Sequence, residues 1–137
     1  MAQHDIHNEI YPTVALNTAA ISSNITTIGT NIIDTQGFGA LEFVQQVGAR
    51  TDGTFTIALE HGDAANLSDA AAPDASDLLG TLAATAISTA NTVKRIGYVG
   101  NKRYVRANVV STSVTTGATV GVLAIRGRPT LAPATSN

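Results

Sequence analysis

The chain has 137 residues, a formal net charge of −2, and 44% hydrophobic against only 13% charged residues. That length and apolar content suit one domain with its own core, built from Val, Ile, Leu and Ala because there is no Trp and only three Tyr and three Phe. The absence of cysteine excludes disulfides and thiolate metal sites, and no apolar run approaches the ~20 residues a membrane helix needs.

Residues 1–12 read as an extended arm. They are polar, carry His4 and His7, and end on Tyr11-Pro12, where proline removes a backbone donor and disfavours helix in the residue before it. Met1 to Asp5 lacks the basic start and apolar run of a signal peptide, so synthesis in a cytoplasm is expected. Residues 13–35, rich in Thr, Asn and Ile, predict short strands separated by turns. Ala40 to Val47 predicts a strand with Leu41, Phe43 and Val47 on one face. Thr54 to His61 predicts another, with Phe55, Ile57 and Leu59 opposite Thr56, Ala58 and Glu60. Asp52-Gly53 between them supplies the positive φ of a tight reversal, so 40–61 reads as a β-hairpin.

Gly62 to Asp77 is acidic, alanine-rich and interrupted by Pro73, which predicts a long surface excursion with a helical turn. Leu78 to Ala90 is ambiguous between helix and strand. Thr92–Val99, Arg103–Val114 and Ala118–Arg126 predict three strands joined by turns, a meander forming most of one sheet. Residues 127–137 carry two prolines and read as an extended tail unable to join a central strand. The predicted fold is an all-β, antiparallel jelly-roll-like β-sandwich, with its core in 13–126 between the arm and the tail.

Charge is unevenly placed. Residues 1–77 hold all ten carboxylates against Arg50 alone, a formal −9, whereas residues 78–137 hold seven cations and no carboxylate. Either strands from the two halves interleave and the charges mix in space, or the surface is bipolar and docks acidic face to basic face.

The chemistry-bearing residues form no convincing catalytic set. His4-Asp5-Ile6-His7 has metal-pair spacing only if helical, which its composition does not support. His61 beside Glu60 and Asp63 reads as a polar strand end, and the aspartates of 63–77 are too widely spaced for a calcium loop. No Gly-x-Ser-x-Gly elbow and no phosphate or dinucleotide loop is present. No cofactor, no metal and no enzymatic activity are therefore expected.

Arg95, Tyr98, Lys102, Arg103, Tyr104 and Arg106 combine basic and aromatic types. On strands those charges divide between faces, and the net charge is negative, so nucleic acid is not the expected partner. Arg and Tyr are instead residues that anchor protein interfaces. Together with His4, His7, Tyr11 and Pro12 in the arm, and Arg128, Pro129 and Leu131 in the tail, they form the expected partner-contact set.

The run Ile96-Gly97-Tyr98-Val99-Gly100-Asn101-Lys102-Arg103-Tyr104-Val105-Arg106 resembles a segment of small virion proteins of tailed bacteriophages. It is followed by Gly121-Val122-Leu123-Ala124-Ile125-Arg126-Gly127-Arg128-Pro129, in the place of an Ala-Val-Leu-Gly-like strand end and a proline-bearing tail. Upstream, Ile33-Asp34-Thr35-Gln36-Gly37-Phe38, Thr51-Asp52-Gly53-Thr54-Phe55 and Asp77-Leu78-Leu79-Gly80 fit the same pattern. Over about residues 30–130 the chain resembles the capsid cement, or decoration, proteins of short-tailed phages. The resemblance implies a jelly-roll-like fold on the outer surface of the icosahedral head, over joints between major capsid protein subunits. It also implies self-association, with dimers favoured over trimers, no membrane role, and no catalytic residues. The alternatives are another virion component, of the tail or the head-joining region, and a carbohydrate-binding β-sandwich. The last would want exposed aromatic platforms, and Trp is absent.

Overall fold

The computed structural model describes residues 6–129. Their strands are β1 (Ile10–Ile21), β2 (Thr26–Thr27), β3 (Ile33–Asp34), β4 (Phe38–Arg50), β5 (Thr54–Gly62), β6 (Leu78–Leu79), β7 (Thr92–Tyr98), β8 (Tyr104–Thr112) and β9 (Ala118–Pro129). Every ladder is antiparallel, and the strands form two sheets in a sandwich-like arrangement, the all-β class that the strand and turn spacing predicts. One sheet runs β1-β9-β4-β7-β6. In the other, β5 pairs along the whole of β8, so β2 and β3 share the opposite edge of β8.

The alternation read from the sequence holds in both best strands. Leu41, Phe43 and Val47 of β4 and Phe55, Ile57 and Leu59 of β5 are buried between the sheets, with Ile96, Val105, Val109 and Val120. The pairing read from it does not hold. β4 and β5 are consecutive but belong to different sheets, β4 between β7 and β9 and β5 against β8. The expected hairpin over 40–61 is therefore a corner that carries the chain across the sandwich. The expected C-terminal meander is likewise split, because β7 and β9 lie in the five-stranded sheet and β8 in the other.

The corner is fixed by Asp52. Its carboxylate accepts the backbone N–H groups of Thr115 (3.0 Å), Thr116 (3.1 Å) and Gly117 (2.8 Å), and Thr51 donates its N–H to the Gly117 carbonyl. Asp-Gly thus serves the β8–β9 connection as well as its own reversal. Gly53 has φ +99°, and a Cβ there would strike Val114 and the Phe55 ring, so only glycine fits.

The limits of arm and tail also move. Tyr11 and Pro12 are inside β1, paired with Arg126 and Ile125. β1 is an edge strand, where proline's missing donor removes no ladder bond on the solvent side. The predicted short strands of 13–21 are one continuous β1 with two irregularities in register, at Val14/Leu16 and Leu16/Ala19. The first lets both Ala15 and Leu16 face the core. At the other end, Gly127, Arg128 and Pro129 belong to β9 rather than to a tail. Pro129 is accommodated because the β1 register ends at Gly127 and only β4 flanks β9 beyond it.

The ambiguous segment 78–90 becomes the short β6, a 3-10 turn at Ala83–Thr85, and an isolated pairing of Ile87 with Phe55. It closes the side of the sandwich between β7 and β5. Thr85 is fully buried, its hydroxyl accepting from the Ile57 N–H and donating to the Leu82 carbonyl. Buried Gln45 donates to the carbonyls of Phe55 and Thr85. The expected excursion begins one residue later, since Gly62 ends β5; residues 63–77 are irregular, with an isolated pairing of Ala71 with His61 and one 3-10 turn.

The three N–H groups hold the Asp52 carboxyl below the usual carboxylate range. Its folded-state pKa lies under the unfolded value, so its contribution is present above the ordinary carboxylate pKa and is lost as pH falls through the folded one. Asp52→Ala is expected to lower the thermal midpoint at neutral pH and to flatten its fall below pH ~4. Calorimetry across that range checks this; an unchanged midpoint and acid profile would mean that the corner does not depend on Asp52.

Candidate functional site

The predicted contact residues fall into distinct groups. His4 and Leu131 lie outside the described residues, and His7 is exposed in the turn before β1. Tyr98 is 4% exposed and belongs to the core, which corrects its reading as a surface anchor. Its hydroxyl accepts from the Lys102 N–H and is hydrogen-bonded to His61 Nδ1 at 2.8 Å. Burial pushes the Tyr98 phenol pKa up. Tyr104 is half-buried, with the Arg103 guanidinium 4.9 Å from its ring centre. Arg128 is exposed and Pro129 half-buried at the end of β9.

Four of the five basic members form ion pairs within the molecule. Arg95 pairs with Glu42 at 3.0 Å, Lys102 with Asp63 at 2.8 Å, Arg103 with Asp34 at 2.8 Å, and Arg106 with Glu60 at 2.6 Å. Arg103 uses Nε and Nη2 on both oxygens of Asp34, and that hydrogen bonding holds the Asp34 carboxyl low. The hydrogen bond from Lys102 to Asp63 raises the lysine pKa. Each pair joins a carboxylate of the first half to a cation of the second. Interleaving therefore mixes charges of the two halves at these four pairs.

Arg126, absent from the predicted set, closes one end of the sandwich. Its guanidinium lies over Tyr11 (4.6 Å) and Phe38 (4.9 Å) and donates to the Asp34 carbonyl and the Thr13 hydroxyl. Because Thr13 is in β1 and Asp34 in β3, this one side chain ties the two sheets together. Tyr11 is thus held internally against Arg126 and Phe38.

The unpartnered surface is the outer face of the five-stranded sheet. Cross-strand rows read Ile10–Gly127–Ala40, Pro12–Ile125–Glu42–Gly97–Leu79, and Val14–Leu123–Val44–Arg95. Val14 (41%), Leu123 (38%), Val93 (57%) and Leu79 (64%) are substantially exposed. Among these positions the charged side chains are Glu42 and Arg95, which neutralise each other. Beside the displaced register of β1, Val14, Asn17 and Thr18 border a shallow groove of about 520 Å3 over Val44, Gln46, Gly121 and Leu123. The outer face of the other sheet is richer in hydroxyls: Thr54, Thr56, Tyr104 and Thr112 surround the Glu60–Arg106 pair, with Ala58 and Val110 between them.

One signal in the sequence marks this face. Antiparallel strands with one wet face alternate apolar and polar residues. In β9 both parities are apolar: Val120, Val122 and Ala124 face the core, while Leu123 and Ile125 face outward. Among the described residues, no group of three or more His, Asp or Glu is placed to hold a metal ion. No protein-family model matches the chain, and no characterised protein matches it in sequence.

Tyr98→Phe should cost about 1 kcal/mol, since it removes the hydroxyl that serves both His61 and the Lys102 N–H. Urea denaturation measures this. A neutral substitution would show that the hydroxyl is not a tie between the β7–β8 turn and β5.

Proposed function

We propose that the protein is a structural component of the virion of a tailed phage, binding the outer surface of the icosahedral head and stabilising joints between major capsid protein subunits. The observation that carries the reading is the broad outer face of the five-stranded sheet. It is largely apolar and shallow, its Glu42 and Arg95 charges are paired, and it lies opposite a face richer in hydroxyls. Shallow apolar area suits a flat protein partner better than a small substrate, which wants a deep pocket with convergent polar groups. The resemblance of Ile96–Arg106 and Gly121–Pro129 to cement proteins supplies the identity of the partner. The role is one of binding rather than catalysis, and self-association in dimers is part of the same reading.

A shell offers many symmetry-related copies of one joint, so modest contacts repeated over the lattice suffice. The face that docks places Val14, Val93 and Leu123 on the shell and leaves the Glu60–Arg106 face outward. Docking through a neutral apolar surface depends little on salt, unlike docking between opposite charges.

Purified protein mixed with expanded heads lacking it should co-sediment with them and raise their resistance to heat and osmotic shock. Val93→Glu combined with Leu123→Glu should leave the circular dichroism of the free protein unchanged and weaken head binding by about tenfold or more. Binding to tails or to glycans with no affinity for heads would overturn the proposal, as would full head binding by the double variant.

A further inference from the structure

The sandwich is sealed unequally on its two sides. Between β7 and β5 the segment 78–90 fills the gap. On the other side the edges are β1 of one sheet and β2 and β3 of the other. There Thr30 and Asn31 stitch the edge of β1: the Asn17 N–H donates to the Thr30 hydroxyl, and Asn31 donates to the Val14 and Ala15 carbonyls. Further along, a cleft of about 180 Å3 lies open between the end of β1 and residues 22–27. The core side chains Leu16, Ile21 and Val120 line it. Ile25, 54% exposed, stands at its rim, and Ile28 beyond β2 is 51% exposed.

This side is also free of charge. From Ile10 to Ile33 there is no charged residue, and Ala107 to Ile125, which flanks both β1 and β2, has none either. The exposed polar groups along the seam are hydroxyls and amides, on Thr18, Ser22, Ser23, Asn24 and Thr26. That composition favours a second copy over an unlike partner. Two-fold contact sets a patch against itself, so an unbalanced charge would meet its own sign. Hydroxyls and amides both donate and accept, and so can pair with their own copies. The size is adequate as well. The 12 residues of β1 extend about 40 Å, and a side two sheets deep measures roughly 20 Å with its side chains. The product, roughly 800 Å2 per partner, is what a stable dimer needs.

We propose that this seam is a contact between two copies of the chain related by a two-fold axis, with Ile25 of each copy covering the cleft of the other. The proposal rests on the self-association proposed above and assigns the surface that carries it; it does not depend on the head. A two-fold axis along the normal of the five-stranded sheet would set the two outer faces side by side, leaving Val93 and Leu123 of both copies free to dock.

Sedimentation equilibrium of the full chain reads the mass directly, and the wild-type protein should be a dimer at micromolar concentration. Ile25→Asp and, separately, Ala20→Asp place like charges against each other across the axis. Each should keep the circular dichroism spectrum and raise the dimer dissociation constant by about tenfold or more. Val93→Glu with Leu123→Glu, outside the seam, should stay dimeric. A dimer that survives either seam substitution in a folded chain would overturn the proposal, as would a dimer dissociated by the Val93/Leu123 variant. A wild-type monomer would overturn it together with self-association, whereas head binding is read separately by co-sedimentation.

Discussion

Strand β9 enters the five-stranded sheet between β1 and β4, so a strand from the C-terminal part of the chain completes the ladder of the first. Most other features depend on that insertion. It places the core-facing row Val120, Val122 and Ala124 at the centre of the sheet, and it sets Arg126 where it can bridge to β3. The four ion pairs that span the two halves arise separately, from β7 lying beside β4 and from β8 and the turn before it lying beside β3 and the end of β5. The insertion also makes the contacts predominantly non-local, so folding requires loop closure over most of the chain before the ladders reward it. The Asp52 carboxylate in the N–H groups of 115–117 pins β8 and β9 to the β4–β5 corner, and so helps hold β9 in register.

Strand existence and facing were legible in the sequence, and strand pairing was not. The alternation of Phe55, Ile57 and Leu59 with Thr56, Ala58 and Glu60 specifies which side is buried, because period-2 patterning is a local property. Asp52-Gly53 specifies a reversal for the same reason. Neither says whether the chain returns beside the same strand or crosses to the facing sheet, since both need a tight turn. The choice rests on long-range facts: that Asp52 meets residues 115–117, and that β7 and β9 flank β4. The same limit hid Arg126, whose partners Tyr11, Phe38 and Asp34 are far away in sequence.

Residue type alone misjudged where Tyr98 and the basic side chains lie. Tyr98 became a core residue, and Arg95, Lys102, Arg103 and Arg106 became internal ties. The uncommitted area consists instead of aliphatic side chains that residue type leaves inconspicuous, namely Val14, Val44, Val93 and Leu123. They are recognisable only once β1, β4, β7 and β9 are known to be neighbours. The two sheets then have unlike outer faces, one largely apolar, the other richer in hydroxyls, each with one Glu–Arg pair. That difference gives the molecule a direction, with one side suited to bury against protein and one to face water.

Electron cryomicroscopy of heads incubated with the purified protein tests the docking claim most directly, because it reads orientation rather than affinity. The account predicts bound copies with the outer face of the five-stranded sheet against the shell and the Glu60–Arg106 face toward solvent. Copies bound with the four-stranded face on the shell, or shells without bound copies, would contradict it.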